Sequence, residues 1–191
     1  MKSLLQINIQ QLSELLPALS AFDEKVTKAA KTLSSALLSD HKLLACGNGG
    51  SAADASHLTT EFVCRFVRDR RPYPAISLAT HGGDMTAISN DYSFAEIFAR
   101  QVDAFGLPGD VLVVFTTSGK SENIRRALVA AKKKGVISIA RLGRDGGTCA
   151  GLADVEFIVG HDVTARIQEA HKLLLHTICE MVDADLASKA K

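Results

Sequence analysis

The sequence has no tryptophan, and only 5% of its residues are aromatic, so it lacks the stacking platforms that hold unpaired bases. It also lacks an excess of either charge: Lys+Arg 22 against Asp+Glu 21 leaves a formal net charge of +1 over 191 residues. Neither nucleic acid nor an anionic membrane surface is favoured as a partner. Long apolar runs are missing too. The run at 111–115 is among the longest, far short of the roughly 20 residues that span a bilayer. The opening MKSLLQINIQQLSELL is broken by Gln, Asn and Glu and makes a poor signal peptide. Cysteine is scarce: Cys46, Cys64, Cys149 and Cys179 form no C-x-x-C pair and no evident disulfide framework. They read as reduced thiols, mostly small core residues, in a cytoplasmic protein.

What is present is an ordinary folding composition, with 47% hydrophobic and 23% charged residues, enough for one sizeable core. Residues 3–38 read as helix, with Leu12, Leu15, Leu16 and Leu19 and then Val26, Ala29, Ala30, Leu33, Ala36 and Leu37 at helical spacing. Pro17 splits the run or starts its second piece. These helices form an N-terminal segment, 1–40, expected to cover a sheet face or pack within an oligomer. From residue 41 onward, to 191, short apolar strands alternate with helices. Strands are expected at 42–46, 75–79, 111–116, 136–141 and 155–159, and helices at 51–66, 85–105, 121–134 and 163–186. Nearly continuous apolar strands alternating with helices indicate a parallel sheet covered on both faces. The expected fold is α/β: a three-layer sandwich around a five-stranded parallel, flavodoxin-like sheet, preceded by the N-terminal helices.

Two strand-to-helix loops are polar. In the first, Gly47, Gly49 and Gly50 surround Asn48, and Ser51 stands where it can cap the next helix, with Asp54 three residues on. Such a helix start suits an anion or polar oxygens. The glycines partly match a dinucleotide fingerprint, but the expected ribose-binding acid after the second strand is missing, since that strand runs into Thr80, His81 and Gly82. In the second loop, Thr116, Thr117, Ser118 and Ser121 surround Gly119 just before a helix, a dense set of neutral donors for a phosphate ester. A Walker A reading fails, because that motif needs a glycine where Val114 stands.

Residues able to carry chemistry lie nearby in sequence pattern. His57 and Glu61, four apart on the helix after the glycine loop, share a face and can act as a base with its partner or hold a metal. The last helix carries Gln168, Glu169, His171 and His176 among apolar residues. Asn90 and Asp91 fall in a polar turn that could reach substrate hydroxyls. The arginines Arg65, Arg68, Arg70 and Arg71 read as solvated surface, helix-end charge or a subunit contact.

Taken together, CGNGGSAADASH, Glu61, SNDYSF, TTSGKS, GRDGG and TARIQEAH with the later His176 resemble, in order and over nearly the whole chain, the bacterial phosphoheptose isomerases of the sugar-isomerase (SIS) domain class. The resemblance implies a cytoplasmic homotetramer that converts sedoheptulose 7-phosphate to D-glycero-D-manno-heptose 7-phosphate, opening heptose synthesis for lipopolysaccharide or related glycans. It implies substrate contacts from Asn48, Gly49, Gly50, Ser51, Glu61, Asn90, Asp91, Thr116, Thr117, Ser118, Ser121 and Gln168. It implies a zinc ion, one per subunit, on His57, Glu61, Gln168 and His176, and an acid/base pair of Glu61 and His176. Thr116 stands where Ser is frequent in the family and Lys120 where Asn is frequent, and the stretches THGGDM and RLGRDGG are less usual.

Ketose–aldose interconversion needs proton transfer between C1 and C2 and between their oxygens, which a carboxylate and an imidazole can carry out. One geometric expectation is independent of the family. On a continuous helix Gln168 and His176 lie roughly 12 Å apart along the axis and about 80° apart around it. Both side chains lean towards the helix start, so they diverge. One copy is therefore not expected to supply both to a single zinc, and subunits are expected to share the site. The alternatives are a SIS scaffold of the kind that binds a replication initiator, or a sugar-phosphate sensor; the scaffold group keeps the RIQE stretch and the glycine loop but lacks the residues matching Glu61 and His176.

Overall fold

A computed structural model describes residues 2–189. Helix α1 (Leu4–Leu15) opens with a capping box in which the Ser3 hydroxyl accepts from the Gln6 N–H and the Gln6 side chain accepts from the Ser3 N–H. Pro17 then lies in the first turn of a 3-10 segment, Leu16–Phe22, before α2 (Asp23–Leu38). The remaining elements alternate: β1 (Leu43–Gly47), α3 (Gly50–Val63), β2 (Ala75–Ser77), α4 (Gly82–Asp91), α5 (Ile97–Phe105), β3 (Val111–Thr116), α6 (Glu122–Lys134), β4 (Ile137–Gly143), β5 (Val155–Val159) and α7 (Thr164–Lys189).

All strand pairings are parallel, in the order β2-β1-β3-β4-β5. This is the flavodoxin-like order expected from the sequence. Pleating sends alternate strand residues to opposite faces. Leu43, Ala45, Val111, Val113, Phe115 and Phe157 join α2, α3 and α7 in one core, whereas Leu44, Cys46, Leu112, Val114, Ala140 and Leu142 join α5 and α6 in the other. The second N-terminal helix, α2, thus covers a sheet face within its own chain, while α1 leaves Leu4, Leu5 and Ile9 more than half exposed.

Two expectations need correction. The single helix at 85–105 is divided, because Ser93 adopts extended backbone (φ −171°, ψ 162°) after the polar Asn90-Asp91 pair, and α5 begins afresh at Ile97. The arginine cluster is not all solvated: the Arg70 side chain is buried, pairs with Asp183 at 3.2 Å, and donates to the Glu61 and Phe62 carbonyls at 2.6 and 3.1 Å at the end of α3. Cys46, Cys149 and Cys179 are buried free thiols and Cys64 is exposed; burial pushes the Cys149 and Cys179 thiols up to about 11 and about 12. Among the described residues, no helix is long and apolar enough to cross a membrane.

His171 is wholly buried on α7, with Nε2 3.3 Å from the Leu142 carbonyl, and burial pushes its pKa down to about 4. In the unfolded chain the imidazole takes up its proton near pH 6.5, so between about 6.5 and 4 the unfolded state binds more protons and stability falls as pH falls. From pH 7 to pH 4, the protein should lose about 3 kcal/mol more stability than a His171→Gln variant, read by urea unfolding at each pH. Equal losses in both would show that His171 does not control the acid sensitivity.

Candidate functional site

The strand order makes the site. From β1 the chain crosses to β2 on one side, and from β3 it crosses to β4 on the other, so α3 and α6 lie on opposite faces and the loops before them open a crevice. Gly47 at the end of β1 is paired in register with Phe115 of β3, which sets the glycine loop beside the hydroxyl loop.

In the glycine loop, the helix begins two residues earlier than Ser51 as a cap would require. Gly49 (φ 54°) is the N-cap and Ser51 is buried inside the first turn. Gly47 is the reason: a Cβ there would run into the Ser51 backbone carbonyl, so only glycine lets the helix start come this close to the strand. Asp54 does not support a cap either; its Oδ1 lies 2.6 Å from Lys172 Nζ.

In the hydroxyl loop, Thr116 Oγ1 lies 3.4 Å from Ser118 Oγ and 3.2 Å from Ser121 Oγ, and the Lys120 N–H donates to Ser118 Oγ at 3.2 Å. The less usual RLGRDGG stretch provides its seat. Gly119 is packed against Gly146 and Gly147, Gly143 against the Thr117 carbonyl, and the Cys149 N–H donates to the Gly119 carbonyl at 3.0 Å. The two loops are latched by a residue the sequence reading missed. Asn123, buried in the first turn of α6, exchanges two amide hydrogen bonds of 2.9 Å with Asn48. Its only signal was an amide side chain on the sheet-facing stripe of an otherwise amphipathic helix.

The acid/base candidates meet where α3 and α7 run side by side in the same direction. His57 Nε2 lies 2.7 Å from Glu61 Oε1, and the His57 and His176 rings are 5.2 Å apart, with Phe66 packed 6.1 Å from His176. Glu61 is 16% exposed and His57 34%, so both are open to a ligand while partly shielded from water. His176 is held below the usual imidazole range, first by burial, then by His57 and Lys172. A neutral ring can take a proton on one nitrogen and give one from the other. One chain thus brings a carboxylate and two imidazoles to one groove.

Gln168 is elsewhere on that groove. Its side chain lies against the Cα of Gly50, where a Cβ would collide with Nε2, two helical turns before His176. Asn90 and Asp91 end α4 at the surface, where Asn90 donates to Asp91 Oδ1 at 2.8 Å. Apart from that bond, neither side chain hydrogen-bonds to another candidate among the described residues. The donor types of His57, Glu61, Gln168 and His176 suit zinc. Their placement in one chain does not: among the described residues, no three His, Cys, Asp or Glu side chains converge tightly enough to hold a metal, and Gln168 is displaced towards Gly50.

The SIS domain model matches residues 9–143. The phosphoheptose isomerases of Shewanella sp. (strain ANA-3) and Shewanella oneidensis are each 46% identical over 172 residues, covering 88% of this chain and 87% of theirs. Among solved structures, a phosphoheptose isomerase from Neisseria gonorrhoeae superposes with a TM-score of 0.85 at 40% identity, covering 95% of this chain and all (100%) of that one. One from Francisella tularensis gives 0.87 at 37% identity, covering 96% and 100%. With the parallel sheet, the paired polar loops and the α3–α7 groove in place, these likenesses establish that the chain belongs to the phosphoheptose isomerase family of SIS-domain proteins.

Proposed function

We propose that the protein is an aldose–ketose isomerase that converts sedoheptulose 7-phosphate to D-glycero-D-manno-heptose 7-phosphate. The observation that carries the reading is the meeting of Glu61, His57 and His176 between α3 and α7, in a chain this similar to phosphoheptose isomerases. The hydroxyls of Thr116, Thr117, Ser118 and Ser121 serve the phosphate, which they can approach with neutral donors. Glu61 moves the carbon-bound proton from C1 to C2 through an enediol, and His176 serves the oxygens. The neutral state favoured for His176 suits a ring that must both accept and donate.

The scaffold and sensor readings are disfavoured because both members of the acid/base pair are present and adjacent. The enzyme is proposed to work in the cytoplasm as a homotetramer, feeding heptose synthesis for lipopolysaccharide or a related glycan. The exposed apolar side chains of α1 support self-association. Zinc, one per subunit, is proposed as an ion on His57, Glu61, Gln168 and His176 drawn from more than one copy, since one copy does not close the set; no step above depends on it.

Glu61→Gln is expected to abolish turnover of sedoheptulose 7-phosphate, a loss of at least about 100-fold in kcat, while sugar-phosphate binding by calorimetry persists. Retained turnover would remove Glu61 from the reaction. Running the same assay with zinc and with chelator measures the metal's part. Sharing of the site has its own test. Co-expressed Gln168→Ala and His176→Ala subunits should regain activity that neither has alone, because mixed assemblies contain sites with both side chains intact. Mixtures as inactive as the separate variants would mean that each chain completes its own site.

A further inference from the structure

Lys172 has no part in the reaction as described, yet its ammonium touches the acid/base cluster at a side chain. Its Nζ lies 2.6 Å from Asp54 Oδ1 and 2.9 Å from His57 Nδ1. An ammonium has donors and no acceptor, so Nδ1 of His57 must supply a lone pair. A neutral imidazole with its lone pair at Nδ1 carries its proton on Nε2. That nitrogen is 2.7 Å from Glu61 Oε1, so it donates to the carboxylate. The opposite tautomer would set an N–H against the ammonium and a lone pair against the carboxylate. The four side chains therefore form a directed line: Lys172 donates to Asp54 and to His57, and His57 donates to Glu61.

The anchor of that line is buried. Asp54 is 5% exposed, and its second oxygen has no hydrogen-bond partner among the described residues. The Arg141 guanidinium, wholly buried over the Phe115 ring at 4.7 Å, likewise has none; burial pushes its pKa down to about 10, and the nearby charge of Asp54 offsets part of that fall. Among the described residues, Lys172 is thus the hydrogen-bonding partner of this buried carboxylate.

We propose that Lys172, anchored on Asp54, is a positioning residue of the isomerase: it fixes His57 as the Nε2–H tautomer, and His57 in turn aims Glu61. With Oε1 held by His57, Oε2 is the oxygen left to meet the sugar. The same tautomer withholds the Nε2 lone pair from a metal. A zinc ion at Nε2 would force the proton onto Nδ1 and break the bond from Lys172, so zinc and Lys172 compete for the state of His57.

The aiming of Glu61 rests on the isomerase reading, whereas the tautomer is a property of the ligand-free, metal-free protein. Long-range proton–nitrogen NMR correlations of the 15N-labelled protein, with His57→Gln assigning the ring, should show His57 with a protonated Nε2 and a bare Nδ1. Lys172→Met should lose that preference, lower kcat roughly 10–100-fold with KM for the sugar phosphate little changed, and bind zinc more tightly in chelator competition. Lys172→Arg, which keeps a donor, should recover part of the tautomer preference and of kcat. Should Lys172→Met fail to fold by circular dichroism, Lys172→Gln and Asp54→Asn carry the same comparison. A His57 signature identical in parent and variant, or a kcat unmoved by the loss of the cation, overturns the proposal. An unsubstituted protein with no isomerase activity would instead defeat the functional reading, and the NMR result would still decide the tautomer.

Discussion

The pairing of β1 with β3 is the constraint on which the site depends. Because these two neighbours in the sheet send their chains in opposite directions, their following helices take opposite faces and their loops are left side by side. The glycine loop brings backbone close and the hydroxyl loop brings donors, and the Asn48–Asn123 amide pair keeps the two from drifting apart. Close glycine contacts at Gly47, Gly119 and Gly143 then remove the freedom that short polar loops ordinarily have.

A second constraint acts at right angles to the sheet. The apolar faces of α3 and α7 rest on the same core through Ala55, Leu58, Phe62, Ile167, Ala170 and Leu174. Burying those faces forces the remaining polar side chains of both helices into a shared seam. Chemistry gathers there because packing orders it: Glu61 and His176 are far apart in sequence, and each is delivered by a helix whose position is fixed by leucine, alanine and phenylalanine. The seam also spaces its own members. Gln168 and His176 follow the pitch of one straight helix, so the first reaches the glycine loop and the second reaches His57.

Much of this was legible in the sequence because it is written locally. Strands such as 111–116 are almost wholly apolar, helices carry a 3.6-residue stripe, and the two polar loops interrupt that pattern at strand ends, so fold, sheet type and loop positions could be read together. The break after Asp91 was hidden because nothing in the run 85–105, which holds neither proline nor glycine, marks the extended serine at 93. Ser51 looked like a cap because the closeness allowed by Gly47 is a distance between a strand and a helix, which no spacing records. The partners of Asn48, Arg70 and Lys172 were invisible for the same reason: each pairs with a residue from another element, Asn123, Asp183 and Asp54, and a single polar residue on an amphipathic face carries no sign of what it will meet.

The contact between Gly50 and Gln168 has a consequence for how such chains can diverge. Because the amide occupies the space that a Cβ at 50 would need, a larger residue there requires the Gln168 side chain to move, which couples the two positions. A descendant acquiring alanine at the loop must first shorten or redirect the amide on the last helix, and one losing the amide gains room to fill the loop. Substitutions at these two places, separated by more than a hundred positions in the gene product, should accordingly travel as a pair through the lineage.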